Sequence, residues 1–423
     1  MPPLKLSLYS ALWWLLLPAA LVRLWWRGRK EAGYRAHIAE RFGCIPDQPS
    51  PLLWVHAVSV GETRAAEPLI RALLQHYPSH QILLTHMTPT GRAAGAALFG
   101  REPRVVQSYL PYDTLTMTRR FIARARPQLG ILMETEVWPA LIDACHQAGV
   151  PVALVNARLS ERSLRRARRF EGLLGDAARK IALIAAQTEA DEQRLRQLGA
   201  KHVAVTGSLK FDITPPETML VLGAQWRAQF GQRLVLLCAS TREGEEALLL
   251  DAYMRATLPP ELLLVIVPRH PQRFDEVARL LEQRGLRYAR RSQLGDAPLA
   301  RETHVLLGDS MGEMFAYYAA CDIAFIGGSL LPLGGQNLIE ALSCGKPVLI
   351  GPHTFNFAQI TEDAISAGAA RRVANAAKMI AEASALLQDD ATRSRLSSVA
   401  IALTVEARGA TRKTVDLLAP RIH

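Results

Sequence analysis

A chain of 423 residues is too long for one ordinary core, so two domains of about 150–200 residues each are expected. Apolar residues make up 49% and charged residues 21%, a globular profile, and a formal charge of +11 carried largely by arginine calls for an anionic partner: nucleic acid, a phosphorylated small molecule or acidic lipid. The five cysteines (Cys44, Cys145, Cys238, Cys321 and Cys344) are far apart and form no CxxC pair, which excludes a disulfide framework or zinc site and fits a reducing compartment.

The first element, LSLYSALWWLLLPAALVRLWW, narrows the choice of partner. Its apolar run from Leu8 to Val22 is about 15 residues, short of the roughly 20 that a full span prefers, and Pro18 interrupts it. Positive charge (Arg23, Arg27, Arg29, Lys30) follows the run instead of leading it, which argues against a cleaved signal peptide and places everything after it in the cytoplasm. Trp13, Trp14, Trp25 and Trp26 suit the headgroup boundary. Residues 1–30 are therefore expected to anchor the chain to the cytoplasmic face of the inner membrane, spanning it or lying in it, with anionic lipid and not nucleic acid as the charged partner. An exposed apolar helix used for oligomerisation is the alternative.

Strand-like and helix-like runs then alternate. LLWVHAV, QILLTHM, LGILMET, PVALVNA, IALIAAQ and HVAVTGSL read as strands, and TRAAEPLIRALLQHY, WPALIDACHQAG and ADEQRLRQLGA as helices. Nearly continuous apolar strands joined by helices indicate a parallel sheet covered on both faces. The pattern pauses at Asp212-Ile-Thr-Pro-Pro-Glu217, taken as the linker. RLVLLCAS, LLLVIVPR, THVLLGD, DIAFIGG and PVLIG repeat the grammar in the second half. The expected fold is α/β, with Rossmann-like domains over 31–212 and 213–423, the second including the C-terminal helices, and a ligand held at strand C-terminal ends in the crevice between them.

Chemistry is sought in the strand-end loops. In the second half, Gly334-Gly335 are expected to open the helix carrying Asn337 and Glu340 and to let backbone N–H groups approach a phosphate, with Glu340 accepting from a ribose diol. Met311-Gly312-Glu313 falls at a strand-to-helix turn, and Pro268-Arg269 just past a strand, where Arg269 would fork onto a phosphate. Three such loops on successive strands favour a nucleotide over simple tight turns. GxGxxG, GxxxxGK[ST], Asp-x-Asp and HExxH are all missing, so dinucleotide, P-loop and metal-held phosphate readings lack their signatures, and His56, His86 and His270 are read as loop or packing residues.

In the first half the strand ends supply Glu62, Thr88-Pro-Thr-Gly91, Glu134-Thr-Glu136, Asn156 and Thr206-Gly-Ser-Leu-Lys210. Arginines 158, 162, 165, 166, 168 and 169 are too many for one helix face; they form a solvated basic helix or an anionic-membrane surface. Ser59-Val-Gly-Glu62 has two sound explanations. As a capping box S-x-x-E it satisfies orphan helix N–H groups and contributes about 1 kcal/mol. As a carboxylate facing the crevice, Glu62 would take the proton of an attacking hydroxyl, a general base contributing about 10²–10⁴-fold.

With these residues assembled, the chain resembles the Kdo transferases, which move 3-deoxy-D-manno-oct-2-ulosonic acid (Kdo) from CMP-Kdo onto a lipid A precursor. The likeness runs nearly end to end through WWRGRK, VSVGET, MTPTG, METEVWP, NARLSERS, TGSLKFD, VPRHP, GDSMGEM, GGQNLIEA and GPHTFNF. It implies a GT-B glycosyltransferase fold in which the N-terminal domain takes the lipid IVA acceptor and the C-terminal domain takes CMP-Kdo. It also implies transfer to the 6′-hydroxyl with inversion, with no metal and no cofactor. The family's general base falls on Glu62 and its stabilising residues on Glu134 and Lys210. Its CMP contacts fall on Pro268, Arg269, Met311, Gly312, Glu313, Asn337, Leu338, Ile339 and Glu340. A sugar-nucleotide epimerase of GT-B-like fold and a non-enzymatic membrane scaffold are the rivals from other classes.

Overall fold

The computed structural model describes residues 4–29, 31–48, 51–259 and 261–422; Lys30 of the basic run lies outside them. The chain divides into two compact units. The first comprises the residues up to Asp212 together with the stretch from Ala407 on, and the second runs from Ile213 to Glu406.

The first unit is built on seven strands: β1 (Leu52–His56), β2 (Gln81–His86), β3 (Val105–Tyr109), β4 (Leu129–Met133), β5 (Val152–Ala157), β6 (Leu183–Ala186) and β7 (Val203–Val205). They form one parallel sheet in the order β3-β2-β1-β4-β5-β6-β7. β1, β4 and β5 are buried along their whole length, as helices on both faces require. The order reverses between β1 and β4, and this is where a doubly wound sheet leaves an opening at its strand C-terminal ends.

The second unit repeats the plan with β8 (Val235–Thr241), β9 (Leu263–Pro268), β10 (Tyr288–Arg290), β11 (Val305–Leu307), β12 (Ile323–Ile326), β13 (Val348–Ile350) and β14 (Ala370–Arg372). The parallel order is β10-β11-β9-β8-β12-β13-β14, with its reversal between β8 and β12.

Two expectations need correction. The C-terminal helix Ala410–Leu418, assigned from sequence to the second domain, belongs to the first unit. Ala410, Val415, Leu418 and Ile422 are buried in the same core as Leu69 and Leu73 of the helix Val60–His76, and this apolar stripe completes one face of the first sheet. Asp212 fixes the helix start by accepting the Gly409 N–H at 2.6 Å and the Thr411 N–H.

The N-terminal helix is also longer than its apolar run, covering Leu4–Arg27 and continuing through Pro18. By length and composition it is able to cross a membrane. One face is docked on the first unit: the Tyr9 hydroxyl donates to Asp113 Oδ2 at 2.8 Å, the Leu115 N–H donates to Ser10 Oγ at 3.1 Å, and Leu17 joins Tyr112 and Met117. Leu8, Leu12, Leu15, Trp25 and Trp26 are exposed. The arginine-rich segment forms two helices, Glu161–Arg168 and Glu171–Lys180, parted at Arg169 and Phe170. Leu164 and Ala167 face inward while Arg162, Arg165, Arg166, Arg168 and Arg169 face solvent.

Candidate active site

At the end of β1 the chain turns directly into the helix Val60–His76, with Ser59 in extended conformation as its N-cap. The Glu62 N–H donates to Ser59 Oγ at 3.4 Å, and the Ser59 hydroxyl donates to Glu62 Oε1 at 3.1 Å. Glu62 Oε2 accepts the Val58 N–H at 2.9 Å, one residue earlier than a standard capping box reaches. The capping explanation of Glu62 is therefore a fact of the structure, and it leaves the carboxylate at the β1/β4 switch point.

β4 delivers the second carboxylate. Glu134 follows Met133 in the left-handed region at φ 55°, a conformation that costs a non-glycine residue about 1 kcal/mol or more. It is held there by donating its N–H to Val155 O at 2.9 Å and accepting the Arg158 N–H. The side chain is buried and forms two ion pairs, with Lys210 Nζ at 2.8 Å and Arg158 Nη2 at 3.1 Å. Lys210 sits in the 3-10 turn Leu209–Phe211 after β7. That turn is hung on β5, because the buried Asn156 accepts the Leu209 N–H on Oδ1 at 3.1 Å.

Glu62, Glu134 and Lys210, named separately from sequence, thus belong to one electrostatic cluster. Burial holds the Glu62 carboxyl above its ordinary range, and the neighbouring Glu134 carboxylate adds to the effect; the Val58 and Ser59 hydrogen bonds and the Lys210 charge oppose it. Sequence reasoning gave no role in this cluster to two members. Arg158 was counted with the basic helix, but its guanidinium turns to Glu134. Glu136 was noted at a strand end in Glu134-Thr-Glu136 and in METE, without a role of its own. Burial, with the Glu62 charge next, pushes its carboxyl up to about 7, against a hydrogen bond from the Trp138 indole N–H to Oε2 at 2.8 Å. The only signal was a second acid two residues after the first, at a strand end.

His56 and His86 are buried and bonded within the fold, to Thr85 and to Ala57 and Gln107. Among the described residues, no three His, Cys, Asp or Glu side chains gather to hold a metal ion.

The second unit also places its candidates at strand ends. Pro268 closes β9, and the Arg269 N–H donates to Thr241 O at 2.9 Å. His270 titrates below its ordinary value through burial and the charges of Arg242 and Arg269, so the β8 and β9 ends share a basic cluster. Arg242 was not anticipated. Met311 is exposed, Gly312 adopts φ 83°, and Glu313 accepts Arg291 Nη2 at 2.9 Å ahead of the helix Met314–Ala320. Asn337 accepts the Ile339 N–H at 3.1 Å and donates to Glu340 Oε1 at 3.2 Å, so Asn337, Leu338, Ile339 and Glu340 form one rigid turn.

The glycine pair departs from expectation. The helix starts at Ile339, because Asn337 captures that N–H, and Gly334-Gly335 do not open it. The Gly335 N–H donates to Gly328 O at 2.7 Å. Gly334, at φ 92°, is glycine because a Cβ there would lie 2.6 Å from the Phe355 ring. The amides of the preceding loop are also committed: those of Gly328, Ser329 and Leu330 converge at 2.5–3.0 Å on the carboxylate of Glu245, a fully buried residue absent from the sequence reading. The strand pattern followed by Gly-Glu-Glu was the available signal.

Comparison with known proteins decides among the rivals. The profile of the family 3-Deoxy-D-manno-octulosonic-acid transferase (kdotransferase) matches residues 36–213. A 3-deoxy-D-manno-octulosonic acid transferase of Bordetella pertussis is 48% identical, over 95% of this chain and 96% of its own. The chain belongs to the Kdo transferase family. The Haemophilus influenzae Kdo transferase is 39% identical over 93% of both chains. Two solved structures share the fold: HepE from Anabaena, solved with UDP (TM-score 0.56, 14% identity, 88% of this chain and 100% of that one), and UDP-GlcNAc 2-epimerase from Neisseria meningitidis (TM-score 0.55, 17% identity, 84% and 99%). The Kdo transferase is accordingly a glycosyltransferase of GT-B-like fold, and the epimerase and scaffold readings give way.

Proposed function

We propose that this Kdo transferase moves Kdo from CMP-Kdo to the 6′-hydroxyl of lipid IVA in lipopolysaccharide biosynthesis, with inversion at the anomeric carbon and without a metal ion. The observation that carries the reading is the Glu62 carboxylate at the β1/β4 switch point, in the same electrostatic cluster as the Glu134–Lys210 pair. As the acceptor oxygen bonds to the anomeric carbon, Glu62 takes its proton, and the bond from that carbon to the CMP phosphate breaks with both electrons leaving on CMP. Kdo carries a carboxylate on the reacting carbon. Lys210, held by Glu134, offsets negative charge there or on the departing phosphate. In the second unit, Arg269 with Arg242 supplies cationic donors for the phosphate, since the nearby loop amides are already taken by Glu245. The Asn337–Glu340 turn and Met311-Gly312-Glu313 offer polar groups to the cytidine.

The N-terminal helix is read as the anchor to the cytoplasmic face of the inner membrane, with its exposed leucines and tryptophans in lipid and the arginines 162–169 at anionic headgroups. Glu62→Gln separates capping from catalysis, because glutamine still accepts the Val58 N–H and cannot take a proton. The variant is expected to keep its melting temperature and lose about 10²-fold or more in kcat, with products identified by mass spectrometry of lipid IVA incubated with CMP-Kdo. Nearly full turnover would remove Glu62 from the chemistry.

A further inference from the structure

The second sheet reverses between β8 and β12, and a fully buried carboxylate sits where the loops after these two strands meet. Glu245 follows the left-handed Gly244 (φ 90°) and opens the helix Glu245–Arg255. Four backbone amides converge on it. Oε1 accepts the Ser329 N–H at 3.0 Å and the Leu330 N–H at 2.9 Å. Oε2 accepts the Gly328 N–H at 2.5 Å and the Arg242 N–H at 2.9 Å, so one oxygen joins the β8 loop to the β12 loop. A nest of amides at a strand end is a seat for an anion, and here the protein's own carboxylate fills it. Arg242, the first residue after β8, is the cation left over. Its side chain is half-buried, and among the described residues no hydrogen bond or ion pair holds its guanidinium. Its stem runs past Gly328, where a Cβ would stand 3.5 Å from Arg242 Cγ. The loop beyond is closed by the Gly335 N–H on Gly328 O at 2.7 Å and the Gln336 N–H on Gly327 O at 3.0 Å, and it leads straight into the Asn337–Glu340 turn.

We propose that Glu245 is a positioning residue for the sugar donor: by holding the Arg242 and Gly328 amides on one oxygen, it aims the Arg242 guanidinium at the phosphate of CMP-Kdo. The inference rests on the reading that the second unit takes CMP-Kdo with Arg242 at its phosphate. An arginine side chain is rich in rotamers, and ordering it on a ligand costs affinity. Fixing its backbone from one side and the wall of its stem from the other removes part of that cost before the donor arrives. The carboxylate suits this task because it only accepts, so all four amides are satisfied without a competing donor. A neutral amide in its place turns an NH₂ group towards N–H groups, leaves buried donors unpaired and loosens both loops together.

The test is calorimetric binding of CMP to the full-length enzyme, with KM for CMP-Kdo and for lipid IVA measured alongside. Arg242→Ala removes a side chain that bonds to nothing in the fold, and it is expected to weaken CMP by about 10- to 100-fold. Glu245→Gln is expected to weaken CMP by about 10-fold and to raise KM for CMP-Kdo to match, with KM for lipid IVA unchanged. Glu245→Asp keeps the charge and is expected to fall between the wild type and Glu245→Gln. The decisive measurement is the double variant: with Arg242 already gone, Glu245→Gln is expected to cost under about 2-fold more. Equal losses with and without Arg242 overturn the proposal, as does wild-type CMP affinity in Glu245→Gln. Loss of the second unit's thermal transition in both the Gln and the Asp variants makes Glu245 a folding residue and also overturns it. If Arg242→Ala binds CMP like the wild type, the phosphate role of Arg242 itself fails, whereas a weakened Arg242→Ala beside an unaltered Glu245→Gln removes only the positioning.

Discussion

His56 ends β1 and His86 ends the neighbouring β2, each without access to water and each kept neutral by burial; the fold holds His56 down at about 3 and His86 at about 4. An unfolded chain protonates both near 6.5, so below that pH the unfolded state binds more protons than the folded one and stability falls. The loss begins near pH 6.5 and continues down to the folded values, at about 1.4 kcal/mol per pH unit for each histidine. Raised carboxyls such as Glu136 and Asp113 titrate in the opposite sense over the same range, so the check is the difference: in urea unfolding across pH 4–7, His56→Gln is expected to change the slope by close to one proton relative to the parent. An unchanged slope would mean that His56 is not held neutral. At this scale the sequence was partly legible. Glu62 announced itself through a capping spacing and a strand end, and the capping explanation holds geometrically. Glu136 was visible only as a strand-end acid and Arg158 only as one arginine of many, because the Glu134 partner that distinguishes Arg158 comes from another strand.

Whole elements were legible where burial wrote itself into composition. β1, β4, β5, β8, β9 and β12 read as continuous apolar runs because helices cover them on both faces. β3, β10 and β14 escaped notice, and all three are sheet edges, partly exposed and built of residues such as Tyr288-Ala-Arg290 and Ala370-Arg-Arg372. The arginine-rich segment needed both a break at Phe170 and an inward stripe of only two residues to place its charges. If that surface meets anionic lipid, each arginine contributes about 1 kcal/mol. Arg165→Ala with Arg166→Ala is then expected to weaken binding to phosphatidylglycerol vesicles by about 30-fold at low salt, and to leave binding to neutral phosphatidylcholine vesicles unchanged. Equal losses on both vesicles would assign the surface another role.

For the whole molecule, the alternation of strands and helices disclosed two doubly wound units and a junction at the Pro-Pro stretch, but not the return of the chain to the first unit after Glu406. That return is invisible locally because the helix Ala410–Leu418 is short and its stripe would suit any open sheet face. Val415, Leu418 and Ile422 together contribute at most roughly 5–9 kcal/mol of burial, comparable with the entire stability of an ordinary domain. A chain ending at Glu406 is therefore expected to lose the first unit's calorimetric transition and keep that of the second. Two intact transitions would show the tail to be dispensable.

The return also fixes an order of events during synthesis. Residues 213–406 leave the ribosome before the segment that seals the first sheet, so the half translated later is the first able to close its core. The half translated earlier waits with the Leu69–Leu73 face uncovered until residues 407–422 emerge. Nascent chains of this enzyme thus carry an unfinished amino-terminal half until residues 407–422 are made, and that interval is when chaperones act on it.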